Sequence, residues 1–285
     1  MKLPKNYTIG VDIGGTNMRS ILFDGKKIIA DYLLATPKDS LEHFLIMLKA
    51  LVEPLLDEAK KQKITVKGIG LGCAGVMNAD KTKILKSPNI AILDGIALAK
   101  ETEKLFNLPV KMENDTRCFL RGEMKQGAGK DYHNAFGLTI GTGIGGSWWQ
   151  NNEAYAGAHD SASEPGRMII DFQKPRELEA VYHELTQKDP LTIANQALRA
   201  EPVAKKAFDQ IGRYLGLALA NIVNILDPEV IIIGGGVAGA SDLFLKQAQT
   251  VMNEYTMSTD AKKIKIIKGK LGDKAGAIGA TLLVD

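Results

Sequence analysis

Three stretches of this chain place glycines directly after apolar runs: Gly14-Gly15-Thr16, Gly141-Thr142-Gly143-Ile144-Gly145-Gly146 and Gly234-Gly235-Gly236. A glycine turn at a strand end lets the backbone approach an anion closely, and its N–H groups can then hold phosphate oxygens. One such turn is equally the mark of a tight hairpin. Three in one chain, each after a β run, point to a polyphosphate. None matches G-x-x-x-x-G-K-[ST], so a P-loop is excluded. The first turn leads into the strand-like MRSILF rather than a helix, so the dinucleotide-binding fingerprint fails too. Two of the turns are near copies, TIGVDIGGTN from Thr8 and TIGTGIGGSW from Thr139. They differ at Asp12 against Gly143, and only the first carries a carboxylate. A second carboxylate, Asp115, follows the strand-like LPVKMEN.

The elements around these residues alternate. Residues 7–13 read as a strand, and MRSILF and KKIIADYLL as two more joined by Asp24-Gly25, a strong hairpin signal. Leu41, Phe44, Leu45, Leu48, Leu51, Val52, Leu55, Leu56 and Ala59 recur at three- and four-residue steps, predicting an amphipathic helix kinked by Pro54. Residues 64–72 form a strand, 96–106 a helix, and a further strand runs to Asp115. The second half repeats this order more loosely. A strand AFGLTIG and a hairpin return through 146–155 precede helices near 177–184, 191–199 and 203–226. EVIIIGGG is a buried strand, followed by a helix from Ser241, the strand IKIIKG and a last helix over 274–283. In the 203–226 helix, Gly212, Gly216 and Ala220 predict close packing against a neighbour. Strands and helices in two similar rounds indicate an α/β architecture with a duplicated core.

The bulk numbers fit one large or two medium domains. The chain has 285 residues, 45% hydrophobic and 24% charged. A net charge of +3, dispersed along the chain, does not suggest nucleic acid. Cys73 and Cys118 form no C-x-x-C pair, so neither a disulfide framework nor a cysteine-rich zinc site is implied. No apolar stretch reaches membrane-spanning length and the N-terminus carries no apolar leader, so a cytoplasmic address and no membrane partner are expected.

In order along the chain, Asp12-Ile13-Gly14-Gly15-Thr16, Glu113-Asn114-Asp115, Leu138 to Gly146 and Ile233 to Gly236 resemble the signatures of the ROK family of sugar kinases and sugar-responsive repressors. Ser87-Pro88-Asn89 resembles a segment of that family's sugar site. The resemblance runs from about Thr8 to Leu283. It implies the actin/hexokinase-like fold of two RNase H-like lobes around a nucleotide cleft. One lobe would be 1–115 closed by about 272–285, the other 116–271.

The resemblance also implies roles. Asp115 would be the general base that takes the proton from a sugar hydroxyl, a poor nucleophile, as phosphorus is attacked. Its alternative is an Asx turn ending a strand. Asn89 and Asn114 would hold neighbouring sugar hydroxyls, and Glu164 and Glu179 would grip the ring. For the two glutamates the alternative is a surface carboxylate. Asp12 would meet the Mg²⁺ that arrives with ATP, through water, or else cap the turn. Gly14, Gly15, Thr16, Thr142 and Gly143 would face phosphates, and Gly234, Gly235 and Gly236 would pass beside the adenosine or α-phosphate. A homodimer is implied as well.

The chain departs from the family's pattern at two arginines. Many relatives carry Glu-x-Gly-His and a cysteine cluster that together bind zinc. Here the fourth position is Arg167, no cysteine follows Cys118, and His159 and His183 cannot supply four ligands. No zinc is expected. Arg167 would either orient Glu164 or bind an anionic substrate group. Arg117 replaces the second Asn of the usual N-D-x-N run and is either exposed or has a role of its own. The expectation is ATP-dependent transfer to the 6-hydroxyl of a hexose or hexose derivative, glucokinase-like. The alternatives are a non-catalytic sugar sensor and a transcriptional regulator lacking its DNA-binding domain.

Overall fold

The structure, a computed structural model, describes residues 7–284. They form two compact units. One runs up to Lys130 and takes in Ala156–Ala162 and the chain from Lys274 on; the other comprises Asp131–Tyr155 and Ser163–Asp273.

The first unit opens with the meander β1 (Tyr7–Ile13), β2 (Asn17–Phe23) and β3 (Ile28–Ala35). The β2–β3 turn closes as its residues demand. Gly25 takes φ +84°, and the Asp24 carboxylate accepts the N–H groups of Lys26 (3.0 Å) and Lys27 (2.8 Å). Helix α1 (Leu41–Lys61) is capped by Ser40, which accepts from the His43 N–H. It runs on through Pro54, whose missing donor faces the carbonyl of Ala50 on the exposed side. Its buried stripe, Phe44, Leu48, Leu51, Val52, Leu55 and Ala59, packs on β2 and β3, and each large side chain contributes about 1.5–3 kcal/mol over leaving it in water.

Next come β4 (Val66–Cys73), a small hairpin of β5 (Val76–Met77) and β6 (Ile84–Lys86), α2 (Leu98–Phe106), β7 (Val110–Asn114) and α3 (Asp115–Gln126). Helix α3 is absent from the sequence reading. Arg117, Gly122 and Glu123 on its buried side interrupt the apolar period. The sheet order is β3-β2-β1-β4-β7, with β1, β4 and β7 parallel.

The second unit repeats this plan. Strands β8 (Ala135–Ile140), β9 (Ile144–Gln150) and β10 (Glu153–Ala154) form its meander. A short pair follows, β11 (Ile169–Asp171) and β12 (Arg176–Glu177). The remaining elements are α4 (Leu178–Leu185), α5 (Pro190–Leu198), α6 (Pro202–Leu226), β13 (Val230–Gly234), α7 (Leu245–Tyr255) and β14 (Lys265–Lys268). The order β10-β9-β8-β13-β14 matches the first sheet strand for strand, with β8, β13 and β14 parallel. The duplicated core is therefore real. Gly212 and Gly216 do let α7 approach α6: a Cβ on Gly216 would lie 2.7 Å from the carbonyl of Ala248.

Helix α8 (Ala275–Thr281) returns to the first unit and packs on α3, β1 and β4. Contact there is backbone to backbone. A Cβ on Gly70 would collide with the Ala280 carbonyl, and one on Gly279 with the Cys118 carbonyl. This packing carries the first unit past the expected boundary at 115, to Lys130, because α3 is sandwiched against α8.

Candidate functional site

In the first unit, Ile13, Cys73 and Asn114 stand in register at the ends of three parallel strands. Asp12 lies one residue before this edge and Asp115 one residue beyond it. Two strand spacings separate them, about 10 Å. Ligands of open α/β sheets gather at such carboxyl edges.

Asp12 is half-buried, and its carboxyl is pushed up to about 7. Burial is the largest cause; the charge of Asp115 adds to it, and Arg19 opposes both. Helix α8 comes against this carboxylate, and only glycine fits there: a Cβ on Gly276 would run into the Asp12 side chain. The cysteines nearby are not chemical partners. Cys73 and Cys118 are buried, and burial first, then neighbouring carboxylates, hold both thiols far above their usual range.

Asp115 is the first residue of α3, half-buried, with Oδ1 accepting the Thr116 N–H at 3.0 Å. Asn114 caps the helix. Its Oδ1 accepts the N–H groups of Thr116 (2.9 Å) and Arg117 (3.3 Å), and its Nδ2 donates to the Gly75 carbonyl (3.2 Å). The cap is thus Asn114, the residue before Asp115, and it fixes the start of the helix that carries Asp115.

Between β1 and β2, the Gly14 N–H donates to the Asn17 carbonyl at 3.0 Å, and Thr36 ties the turn down through its Oγ1 to the Gly14 carbonyl (2.7 Å). Thr16 is exposed. Asn89 packs onto this turn, where a Cβ on Gly15 would lie 2.8 Å from the Asn89 Cβ. The segment before Asn89 is pinned by Ser87, whose Oγ donates to the Ala74 carbonyl (2.7 Å) and whose N–H donates to Asp94 (2.7 Å). The structure thus brings Gly14, Gly15, Thr16 and Asn89 to one turn, and Asp12, Asn114 and Asp115 to one sheet edge.

In the second unit, the turns after β8 and β13 lie side by side. A Cβ on Gly141 would stand 3.6 Å from the Gly236 nitrogen, and Val237 N–H donates to the Ile140 carbonyl at 2.9 Å. Gly235 adopts φ +90° and leaves no room for a side chain against Ile140. Thr142 is exposed, and Gly234 is the last residue of β13.

Glu179, in the first turn of α4, belongs to this turn. Its Oε2 accepts the Ile144 N–H at 2.6 Å, and a Cβ on Gly143 would collide with it. Two further residues, which sequence reasoning missed, fasten the same loop. The Tyr182 hydroxyl donates to the Gly141 carbonyl (2.8 Å), and His183 Nε2 lies 2.8 Å from the Thr142 carbonyl. Burial first, then the Glu179 charge, holds the Tyr182 hydroxyl protonated well above its usual range. No local pattern announces either residue, because the partners are backbone carbonyls far away in sequence.

Glu164 is exposed at the head of a short 3-10 turn, Pro165–Arg167. Arg167 makes its hydrogen bond elsewhere. Its NH1 donates to Glu177 Oε2 at 2.7 Å, with 63% of the side chain exposed. The Glu177 contact is also the main reason the guanidinium is held above its usual range.

Arg117 is buried rather than exposed, at 4%. Its Nε lies 3.2 Å from Glu113 Oε1, its NH1 2.5 Å from Asp160 Oδ1, and its NH2 donates to the Asp160 carbonyl at 3.0 Å. Lys81 pairs with Glu113 from the other side. No local pattern announced this group: Glu113 lies on β7, ahead of the helix, and Lys81 and Asp160 are distant in sequence.

Among the described residues, no group of three or more His, Cys, Asp or Glu side chains is arranged to hold a metal ion, and no helix is long and apolar enough to cross a membrane. Comparison with known proteins gives this arrangement its relatives. The chain is 29% identical over 316 residues to a glucokinase of Halalkalibacterium halodurans, covering 98% of this chain and 94% of that one. It is 26% identical over 309 residues to the xylose repressor of Caldicellulosiruptor bescii, covering 97% of this chain and 77% of that one. Among solved structures, it superposes on a ROK family glucokinase from Streptomyces griseus, in complex with glucose and AMPPNP, with a TM-score of 0.82. That pair is 25% identical, with 98% and 99% of the two chains covered. The fold is accordingly of the actin/hexokinase-like α/β class. The ROK family pattern matches residues 8–178 and 176–285, and the chain belongs to the ROK family.

Proposed function

We propose that this protein is an ATP-dependent sugar kinase that transfers the γ-phosphoryl group to the 6-hydroxyl of a hexose or hexose derivative. The observation that carries this reading is the pair of carboxylates at one sheet edge, Asp12 and Asp115, with Asp115 oriented by a helix start. Asp115 takes the hydroxyl proton as the sugar oxygen bonds to phosphorus and the bond to the β-phosphate breaks. Asn89, Asn114, Glu164 and Glu179 hold sugar hydroxyls. Gly14, Gly15, Thr16, Thr142, Gly143 and Gly234 to Gly236 serve the phosphates and the nucleotide; the Gly14 N–H is itself held by the Asn17 carbonyl, so that residue shapes the turn.

The donor set also fits Mg²⁺. Asp12 is an oxygen ligand whose charge is suppressed by burial and by Asp115, and a cation beside it relieves both. Mg²⁺ keeps most of its waters, so a single carboxylate with the phosphates suffices. When bound, it neutralises charge on the transferred group. No zinc takes part, and stoichiometric zinc in protein purified without added metal would contradict that.

The test is sugar-dependent ADP release over glucose, mannose, fructose, N-acetylhexosamines and β-glucosides. Asp115→Ala should lower turnover by about 10²–10⁴-fold while nucleotide binding persists. Turnover within threefold of wild type, or no sugar that drives ADP release, would sink the assignment. The match to a repressor supports one other reading, a sugar sensor. Its mark is sugar binding by calorimetry without turnover.

A further inference from the structure

We propose that the quartet of Lys81 and the buried Glu113, Arg117 and Asp160 is a positioning device for Asp115, with Arg117 at its centre; this rests on the kinase reading above. The four side chains carry two positive and two negative charges, and none is in the phosphate turns. Arg117 bridges the two carboxylates, 3.2 Å from Glu113 and 2.5 Å from Asp160. Lys81 also reaches both: it bonds Glu113 Oε2, and its Nζ lies 3.8 Å from Asp160 Oδ1.

The quartet grips the β7–α3 junction on both sides of Asp115. Glu113 Oε1, beside Arg117, accepts the Asn114 N–H at 2.8 Å. The Arg117 N–H donates to Asn114 Oδ1 at 3.3 Å, completing the cap that also takes Thr116. The peptide units before and after Asp115 are therefore tied to the same ion network.

One observation sets this network apart from a simple fold-holding contact. Asp160 Oδ2 is buried without a hydrogen-bond partner among the described residues, a desolvation cost left standing. Buried ion pairs seldom stabilise a fold more than apolar residues of the same shape. What this one supplies is a fixed geometry, and a general base displaced by about 1 Å can lose about 10²-fold in rate.

The experiment compares wild type with Lys81→Met, Arg117→Lys, Arg117→Met and Asp160→Asn. Lys81 is 30% exposed, so its variant keeps the fold even where the others do not. For each folded variant, kcat, KM and amide exchange over residues 113–118 are measured. The expected result is a kcat lower by about 10–100-fold, a sugar KM within about threefold, and faster exchange at 113–118, with Arg117→Lys retaining more activity than Arg117→Met. Wild-type exchange at 113–118, or wild-type kcat in a folded variant, overturns the proposal. If wild type itself phosphorylates no sugar, the kinase reading fails, and exchange at 113–118 alone decides whether the quartet orders the Asp115 junction.

Discussion

Replacing Asp12 with asparagine should stabilise the ligand-free protein at pH 8 while abolishing its proposed activity. Unfolded, Asp12 ionises near 3.8; folded, near 7. Between those values the folded state holds a proton that the unfolded state has lost. Stability therefore falls as pH rises, by about 1.4 kcal/mol per pH unit, until the folded carboxyl has ionised. From pH 5 to pH 8 this amounts to about 2.6 kcal/mol, and water reaching a half-buried side chain reduces it to roughly 2. The neutral amide of Asp12→Asn carries no such dependence. The variant should gain on wild type by about 2 kcal/mol between pH 5 and pH 8, a shift of roughly 4–8 °C in Tm for a unit of this size. Both tryptophans, Trp148 and Trp149, lie in the second unit, so far-UV circular dichroism is the better probe. Samples are kept free of Mg²⁺ and nucleotide. A Tm difference between variant and wild type that stays constant from pH 5 to pH 8 would refute the reasoning, because burial and Asp115 would then not be suppressing the Asp12 charge.

The same physics predicts that Mg²⁺-nucleotide binding near pH 6.5 releases a proton from Asp12. Calorimetry in buffers of different ionisation enthalpy should show that release in wild type and not in Asp12→Asn. Tyr182→Phe leaves the Gly141 carbonyl without its donor; about 1 kcal/mol of stability and a several-fold higher ATP KM are expected, and an unchanged KM would detach this turn from nucleotide binding. Glu179→Ala removes the acceptor of the Ile144 N–H and should cost about 1–3 kcal/mol in thermal unfolding. Gly70→Ala forces a methyl into the Ala280 carbonyl and should destabilise the first unit by about 1–3 kcal/mol or more; a wild-type Tm would show that α8 can move away from the sheet.

Much of the fold was legible because its signals are local. The Asp24-Gly25 hairpin, the apolar stripe of α1 and the glycine pair in α6 each follow from residues a few positions apart. The repeated strand and glycine turn announced the duplicated plan that the two matching sheets display. Helix α3 escaped because a charged residue on its buried side, Arg117, breaks the apolar period, and that arginine is buried against Glu113 and against Asp160, 43 residues away.

The candidate site divides the same way. By itself the sequence determined which residue types could do chemistry: a carboxylate at a strand end, glycines where a backbone must approach an anion, and a second carboxylate at the end of β7. Only the tertiary structure decided their state and company. Asp12 is pushed toward neutrality because α8, near the other end of the chain, closes over it and Asp115 lies two strands away. Glu179 joins the glycine turn after β8 because α4 packs its first turn there, and Arg167 turns to Glu177. Burial and charge coupling depend on what the fold brings within a few ångströms, and sequence spacing does not carry that information.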